Sequence, residues 1–187
     1  MRPVVLQMGV TVDGYVAGPG GEGDWGLPDE HPYVRAWKLA SLRQAGTHIM
    51  GRVTYEQMAT HWPTASGDYA DLMNSLPKVV FSKTLLAAGW AGSRIARGDL
   101  AEEITALKSE SGGGIIMAHG GAAFVQALSR LALIDEYRLV ILPVALGNGL
   151  PLFKDLARPL RVDLAEAQSF PDGTVIHVYQ PITTTNT

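Results

Sequence analysis

The chain alternates between short apolar runs and longer stretches in which apolar residues recur every three or four positions. The apolar runs predict strands, at residues 4–12, 47–50, 78–81, 93–96, 114–118 and 139–142. The longer stretches predict helices, at residues 32–44, from residue 52, at 99–109 and around 124–131. Residues 60–76 follow neither pattern, and we interpret them as a loop with one helical turn.

Strands that alternate with helices are typical of a three-layer α/β sandwich with a mostly parallel central sheet. The tail differs, because residues 161–169 and 174–180 form two strand-like runs without a helix between them. The Asp172-Gly173 pair in their connection is a hairpin signal. We therefore expect a C-terminal antiparallel hairpin at one edge of the sheet. Residues 1–182 are expected to form one domain, with a frayed tail at 183–187.

Composition narrows the class of protein. The 187 residues are 47% hydrophobic and 18% charged, as in a globular domain. The net charge of −3 gives no overall positive field that would attract nucleic acid or an anionic membrane. No apolar run is long enough to span a membrane, and the N-terminal run is too short for a signal peptide.

The absence of cysteine excludes disulfides, thiolate catalysis and cysteine–zinc sites. It suits the reducing cytoplasm, where we expect the protein to be. The five histidines lack the spacing of metal ligands, so we predict no metal site. We interpret His119 as a loop or core residue rather than a catalyst, because no histidine-based motif surrounds it.

Glycine and polar residues follow three of the predicted strands. They form the turns Gly51-Arg52-Val53-Thr54, Ser82-Lys83-Thr84 and Gly120-Gly121. Ligands of parallel α/β sheets bind beyond the carboxyl ends of the strands, where these turns would lie. Free N–H groups at a helix start, a guanidinium and an ammonium are all suited to phosphate. The three turns together therefore predict a phosphate-binding site.

Each turn also has a purely structural interpretation. Arg52 lies four residues before Glu56 and could form an ion pair with it. Lys83 could be an ordinary exposed lysine, and Gly120 and Gly121 could only ease the packing of a strand against a helix. Asp13, which precedes Gly14, is expected to shape a turn.

A long glycine-rich loop covers residues 13–29. It contains six glycines and leads into Trp25-Gly26-Leu27-Pro28-Asp29-Glu30. Loops of this length within a compact domain are usually functional or disordered. Trp25 and Trp37 could flank a planar substrate, although Trp37 is interpreted as a core residue.

Several segments resemble the dihydrofolate reductase-like superfamily, and more closely its bacterial branch related to the reductase domain of riboflavin biosynthesis. They occur in family order over about 150 residues, nearly the whole chain. The matching segments are Val12-Asp13-Gly14-Tyr15-Val16-Ala17, Met50-Gly51-Arg52-Val53-Thr54-Tyr55-Glu56, Ser82-Lys83-Thr84-Leu85, Gly120-Gly121-Ala122, Ile134-Asp135-Glu136-Tyr137 and Pro143-Val144-Ala145-Leu146-Gly147-Asn148-Gly149-Leu150-Pro151-Leu152-Phe153.

The resemblance implies NADPH as cofactor, bound across the carboxyl edge of the sheet. By position it implies contacts of the adenosine end with Gly51, Arg52, Thr54, Ser82, Lys83 and Thr84. It implies a pyrophosphate turn at Gly120, Gly121 and Ala122, and contacts of the nicotinamide with Val16 and Ala17. Many relatives have arginine at the position of Lys83. Lysine offers a 2′-phosphate a single ammonium charge, whereas arginine offers a guanidinium that can donate two parallel hydrogen bonds.

The proton-handling group implied by the resemblance is acidic. The segment from Trp25 resembles the Trp-x-Leu-Pro stretch of true dihydrofolate reductases, where an acidic residue soon after the proline binds the pterin. Counting without gaps assigns this role to Glu30, with Asp29 beside it. The alternative is that both charges only favour the start of the following helix.

The sequence thus predicts an NADPH-dependent reductase that transfers hydride to a C=N or C=O of a small heterocyclic or ribosyl-linked substrate, similar to the riboflavin-pathway reductase that acts on 5-amino-6-(5-phosphoribosylamino)uracil. The rival hypotheses are a true dihydrofolate reductase and a non-catalytic NADP(H)-binding protein. The resemblance also implies a homodimer, and neither nucleic acid nor membrane is expected as a partner.

Overall fold

The structure is a computed structural model that describes residues 1–21, 23 and 31–182. The strands in the described residues are β1 (Val4–Thr11), β2 (Tyr15–Ala17), β3 (Ala45–Gly51), β4 (Lys78–Phe81), β5 (Ser93–Ala96), β6 (Ile115–Ala118), β7 (Glu136–Leu142), β8 (Leu150–Pro151), β9 (Val162–Ser169) and β10 (Val175–Pro181). The α-helices there are α1 (Pro32–Leu42), α2 (Arg52–His61), α3 (Asp68–Ser75), α4 (Leu100–Ser109) and α5 (Ala122–Arg130).

Eight strands form one sheet in the order β5-β4-β3-β6-β1-β7-β10-β9. The six strands from β5 to β7 are parallel to one another, whereas β10 and β9 are antiparallel to their neighbours. The α/β sandwich with a mostly parallel sheet and a C-terminal hairpin is therefore confirmed. The carboxyl ends of β4, β3, β6 and β1 lie at the same edge of the sheet, here called the carboxyl edge.

Helices cover both faces of the sheet, and the alternation of side chains along the strands separates two layers of core. Ile49 and Val79 pack with α4 and α5 in the larger apolar cluster. Their neighbours Met50 and Val80 point to the other face and pack with residues of α1, α2 and α3. A third cluster joins α1 to β7 and β10 on that same face. We call the two sides the α4/α5 face and the α1–α3 face.

Two features differ from the sequence-based expectation. Residues 60–76 contain α3, an eight-residue helix, where we predicted a single turn. It is stabilised by the buried side chains of Ala70 and Met73, which are too few to create a visible periodicity. The second feature is a separate two-stranded sheet of β2 and β8, whose strands of three and two residues are too short to produce a pattern.

Candidate functional site: the carboxyl edge of the sheet

The three predicted turns lie side by side at the carboxyl edge, because β4, β3 and β6 are consecutive parallel strands. Gly51 ends β3, Ser82 follows β4, and Gly120 and Gly121 lie between β6 and α5. The register of β3 with β4 pairs Gly51 with Phe81, so the first two turns begin at the same level. The sheet thus brings together the residues that the sequence predicted for phosphate binding.

The starts of α2 and α5 approach each other closely at the centre of this edge. A side-chain carbon on Gly51 would lie 3.0 Å from Cβ of Phe124, and one on Gly121 would lie 3.0 Å from Oγ1 of Thr54. Gly120 and Gly121 also have φ values of 100° and 86°, which non-glycine residues rarely adopt. Glycine at 51 and 121 therefore lets two helix starts meet beside the Thr54 hydroxyl.

Both of these helix starts have glycine at the N-cap, which offers no capping side chain. Among the described residues, no side chain hydrogen-bonds to the first-turn N–H groups of α2 at Gly51, or of α5 at Gly121. By contrast, α4 begins at the same edge with Asp99, whose Oδ1 accepts hydrogen bonds from the N–H groups of Ala101 and Glu102. Free N–H groups at a helix start favour an anion, so α2 and α5 retain the donors that α4 has already used.

Arg52 forms the ion pair that its spacing indicated as the structural alternative. Its Nη1 donates to Oε1 and Oε2 of Glu56 at 3.1 and 2.8 Å. The two side chains are 45% and 47% exposed, and an exposed pair of this kind contributes at most about 1 kcal/mol. A guanidinium held this weakly at the carboxyl edge remains available to a phosphate.

The Ser82-Lys83-Thr84 turn is shaped by its own serine. The Ser82 hydroxyl accepts hydrogen bonds from the N–H groups of Thr84 and Leu85, at 3.2 and 2.9 Å. Lys83 and Thr84 are exposed on this turn. Arg97 supports the turn from below, since its guanidinium donates to the carbonyl oxygens of Lys83 and Leu85. Arg97 was not among the predicted site residues, although its position directly after β5 was a usable signal.

The glycine-rich loop after β1, residues 13–29 and here called the first loop, is joined through its start to residues 143–153, which we call the strap. The backbone N–H of Val12 donates to Val144, that of Leu152 donates to Gly14, and β2 pairs with β8. A side-chain carbon on Gly149 would lie only 2.3 Å from the carbonyl oxygen of Ala17. The strap therefore holds β2 in place by direct contact of the two backbones.

Asp13 joins the first loop to the strap by side-chain hydrogen bonds. Its carboxylate accepts from the Thr11 hydroxyl at 2.5 Å and from the N–H of Gly147 at 2.8 Å. These bonds, first the one from Thr11 and then the one from Gly147, lower the pKa of the Asp13 carboxyl. Asp13 thus remains ionised and has the turn-shaping role expected from the sequence.

Val16 and Ala17 lie on β2, where the resemblance expects the nicotinamide. The Val16 side chain is buried in the larger core cluster, so a contact of Val16 with a ligand would come from its backbone. Ala17 is half-buried. Trp37 is half-buried: it packs against the margin of the core cluster of α1 and the hairpin and donates through Nε1 to the exposed Glu166, so it fits the expected core role only in part. Trp25, Asp29 and Glu30 lie outside the described residues.

His48 and His119 form a hydrogen-bonded pair of imidazoles below the carboxyl edge. Nε2 of His119 lies 2.7 Å from Nδ1 of His48, which is fully buried on β3. Burial lowers the pKa of His48 to about 4. Burial and the neighbouring His48 lower the pKa of His119 well below its usual range. Both rings are therefore neutral near pH 7. The sequence did not indicate this pairing, because it depends on the register of β3 with β6.

Within the described residues, no group of three or more acidic or histidine side chains is arranged to hold a metal ion. In the same part of the chain, no helix is long and apolar enough to cross a membrane.

Known proteins resemble this chain over nearly its full length. An uncharacterized protein YyaP of Bacillus subtilis strain 168 is 31% identical over 183 residues, which are 95% of this chain and 94% of YyaP. A second protein of that strain, the uncharacterized YwjB, is 30% identical over 179 residues, covering 94% of this chain and 97% of YwjB.

Three solved structures share the fold. A protein of Shewanella sp. PV-4, provisionally named a riboflavin biosynthesis protein, superposes with a TM-score of 0.78 at 24% identity and covers 97% of this chain and 99% of its own. A deaminase and 5-amino-6-(5-phosphoribosylamino)uracil reductase of Thermotoga maritima has a TM-score of 0.67 at 16% identity, covering 97% of this chain and 57% of its own. Dihydrofolate reductase of Enterococcus faecalis, solved with NADP(H), has a TM-score of 0.64 at 11% identity and covers 96% of both chains.

The model of one protein family matches residues 2–176, almost the entire chain. The family is described as the RibD C-terminal domain, and the riboflavin-related and dihydrofolate reductase structures agree with the architecture described above. The chain belongs to the RibD C-terminal domain family and has the dihydrofolate reductase-like fold.

Proposed function

We propose that the protein is an NADPH-dependent reductase that transfers hydride to a C=N or C=O bond of a small heterocyclic or ribosyl-linked substrate. The observation that carries the proposal is the meeting of two uncapped helix starts at Gly51 and Gly121. Exposed cationic side chains flank this point, Arg52 on one turn and Lys83 on the next. Such an arrangement suits a ligand with several phosphates, as a dinucleotide has.

The residues present fit NADPH. The N–H groups at the starts of α2 and α5 would hold the pyrophosphate, with Thr54 between them. Arg52 and Lys83 would contact the 2′-phosphate, which distinguishes NADPH from NADH. Bound there, the cofactor supplies the hydride. β2 with its Val16 and Ala17, held by the strap, would orient the nicotinamide and exclude water.

Two solved relatives support a reductase by what they are named to do. The Thermotoga maritima protein is a 5-amino-6-(5-phosphoribosylamino)uracil reductase as well as a deaminase, and the Enterococcus faecalis protein is a dihydrofolate reductase complexed with NADP(H). The family match to the RibD C-terminal domain supports the riboflavin-pathway type more than the folate type.

The protein would also have to supply a proton, because hydride addition to C=N or C=O leaves negative charge on the heteroatom. Glu30 and Asp29 precede α1, which begins at Pro32. The substrate would lie between the first loop, the start of α1 and the strap, so either carboxyl could donate there, directly or through water. A non-catalytic NADP(H)-binding protein would keep the phosphate residues but would not need this acid.

The test is NADPH oxidation with dihydrofolate, imines, pterins and ribosylaminopyrimidines as substrates, using NADPH deuterated at C4. We expect at least one substrate to gain deuterium at carbon. Glu30→Gln or Asp29→Asn should lower turnover by roughly 100-fold or more, with NADPH affinity unchanged. Glu166→Gln, a change of an exposed acid on β9, is the matched control and should keep full activity.

Full activity in both Glu30→Gln and Asp29→Asn would assign proton donation to water instead. Tight NADPH binding without turnover of any substrate would favour the binding-protein alternative.

A further inference from the structure

A row of polar side chains crosses the α1–α3 face just below the carboxyl edge. The register pairs Leu6 of β1 with Ala118, the last residue of β6, so Gln7 of β1 and His119, which directly follows β6, come next along these two neighbouring segments. Leu6 and Ala118 belong to the core on the α4/α5 face, and the following residues therefore point to the α1–α3 face. His48 on β3 points to the same face and contacts His119.

The hydrogen bonds of the two histidines determine which ring nitrogens carry protons. Nε2 of His48 lies 3.5 Å from the carbonyl oxygen of Leu72, which can only accept, so we assign the proton of the neutral ring to this nitrogen. In a neutral ring Nδ1 of His48 is then an acceptor, and Nε2 of His119 must donate to it across 2.7 Å. Nδ1 of His119 is left as an acceptor, and no donor contacts it among the described residues.

Gln7 adds a second unsatisfied acceptor beside His119. Its side chain is 92% buried, as its exposure is 8%, and no donor in the described residues reaches its Oε1. Buried acceptors without a donor are rare and require an explanation. On the same face, a side-chain carbon on Gly9 would meet only Leu142 among the described residues, at 3.7 Å, so this part of the chain leaves room beside Gln7. Rotation about the soft terminal torsion of Gln7 can turn Oε1 toward that space.

We propose that Gln7 and His119 form the floor of the substrate site and select a planar nitrogen heterocycle through its N–H groups. Each residue offers a hydrogen-bond acceptor that no donor in the described part of the chain reaches. A cation is a poorer match, because the described residues contain no group of three acidic or histidine ligands. His48 acts as a positioning residue, since its hydrogen bond from His119 keeps Nδ1 of His119 free of a proton. The proposal rests on the proposed function for the role of the ligand as a substrate.

The test uses uracil, whose ring carries two N–H groups, and 1,3-dimethyluracil, which has none. Imidazole ¹⁵N NMR of the full chain should show both His48 and His119 protonated at Nε2. Uracil at millimolar concentration should shift the His119 Nδ1 resonance, and 1,3-dimethyluracil should not. Either His119 protonated at Nδ1 or equal shifts with both compounds would overturn the proposal, as would the absence of uracil binding.

Variants separate recognition from folding. Gln7→Leu and His119→Phe should each weaken uracil binding by roughly 2- to 13-fold, the effect of losing one hydrogen bond. Gln168→Leu, a change of an exposed glutamine on β9, is the matched control and should leave binding unchanged. His48→Phe should give His119 a mixture of both tautomers while the fold is kept, which a purely structural role of His48 would not predict. Unchanged uracil affinity in folded Gln7→Leu and His119→Phe would overturn the assignment.

NADPH binding is measured on the same samples, so that the two proposals can fail separately. Uracil recognition without NADPH binding would refute the proposed reductase and support the role of Gln7 and His119 in the substrate site. NADPH binding with no response of His119 to uracil would refute that role and leave the proposed reductase standing.

Discussion

Arg52 has one partner in the structure and another in the proposed complex. Its ion pair with Glu56 is half-exposed, so exchange of the carboxylate for a 2′-phosphate costs little. Arg52→Ala and Lys83→Ala should each weaken NADPH binding by roughly 1–3 kcal/mol and NADH binding much less. Cofactor fluorescence titration measures both affinities. The control is Arg43→Ala, because Arg43 forms a similar exposed pair with Asp68 and belongs to none of the three turns. Equal losses for both cofactors would contradict the assignment to the 2′-phosphate.

His48 should make the stability of the fold depend on pH. Its pKa is lowered from 6.5 to about 4 by burial, so between these values the unfolded chain binds a proton that the folded chain does not. The contribution of His48 to the free energy of unfolding is therefore fully present above pH 6.5. It falls by about 3 kcal/mol as the pH drops to 4. Urea unfolding at pH 7.5, 5.5 and 4.5 measures the slope. His48→Gln should flatten it, whereas His61→Gln, at an exposed position, should not. An unchanged slope in His48→Gln would show that His48 is not the group responsible.

At the residue scale, the sequence indicated which glycines and cationic side chains lie in the turns, but not which side chains contact each other between strands. The positions of Gly51, Arg52, Lys83 and Gly121 in turns that follow strands were predictable because such turns are local in sequence, and their contacts with a phosphate stay a prediction. The contacts of His119 with His48, and the neighbourhood of Gln7, depend on strand register, which a single sequence does not specify. Ser82 was predicted as a ligand residue, and the structure shows its hydroxyl used within its own turn.

At the element scale, the strap is the least tolerant part of the site. A side-chain carbon at residue 149 would lie 2.3 Å from the backbone oxygen of Ala17, so Gly149→Ala must displace β2 or β8. We expect a loss of roughly 1–3 kcal/mol in stability, the usual cost of overpacking, together with lower turnover. Thermal unfolding and NADPH oxidation measure the two effects. Gly89→Ala is the control, because in the described residues no atom beyond its own chain neighbours lies within 4 Å of its added carbon. Wild-type behaviour of Gly149→Ala would show that the strap does not hold β2.

Most elements were predictable, and the exceptions have physical causes. β4 and β5 match the predicted bounds, and Asp99, the first residue of the helix predicted at 99–109, is the N-cap of α4. The hairpin of β9 and β10 forms at the predicted Asp172-Gly173 turn. β2 and β8 were missed because their stability comes from their pairing with each other across the first loop and the strap. α3 was missed because only two of its residues, Ala70 and Met73, are buried.

At the scale of the whole molecule, we propose that two copies pair through the C-terminal hairpin. β9 ends the sheet, seven of its eight residues are exposed, and Leu164 on it is 54% exposed. Long exposed edge strands favour pairing with another chain. Light scattering should give twice the 20.0 kDa mass of the chain at micromolar concentration. Leu164→Asp should yield monomers, whereas Leu86→Asp, at a more exposed leucine outside the hairpin, should not. A monomeric wild-type chain would refute the proposal.

The central claim is that the carboxyl edge holds NADPH with its nicotinamide beside a substrate site, and a crystal structure of the chain with NADPH tests it most directly. We predict the pyrophosphate at the starts of α2 and α5, the 2′-phosphate at Arg52 and Lys83, and the nicotinamide against β2 with open space above Gln7 and His119. A nucleotide bound elsewhere, or a nicotinamide directed away from β2, would contradict the account.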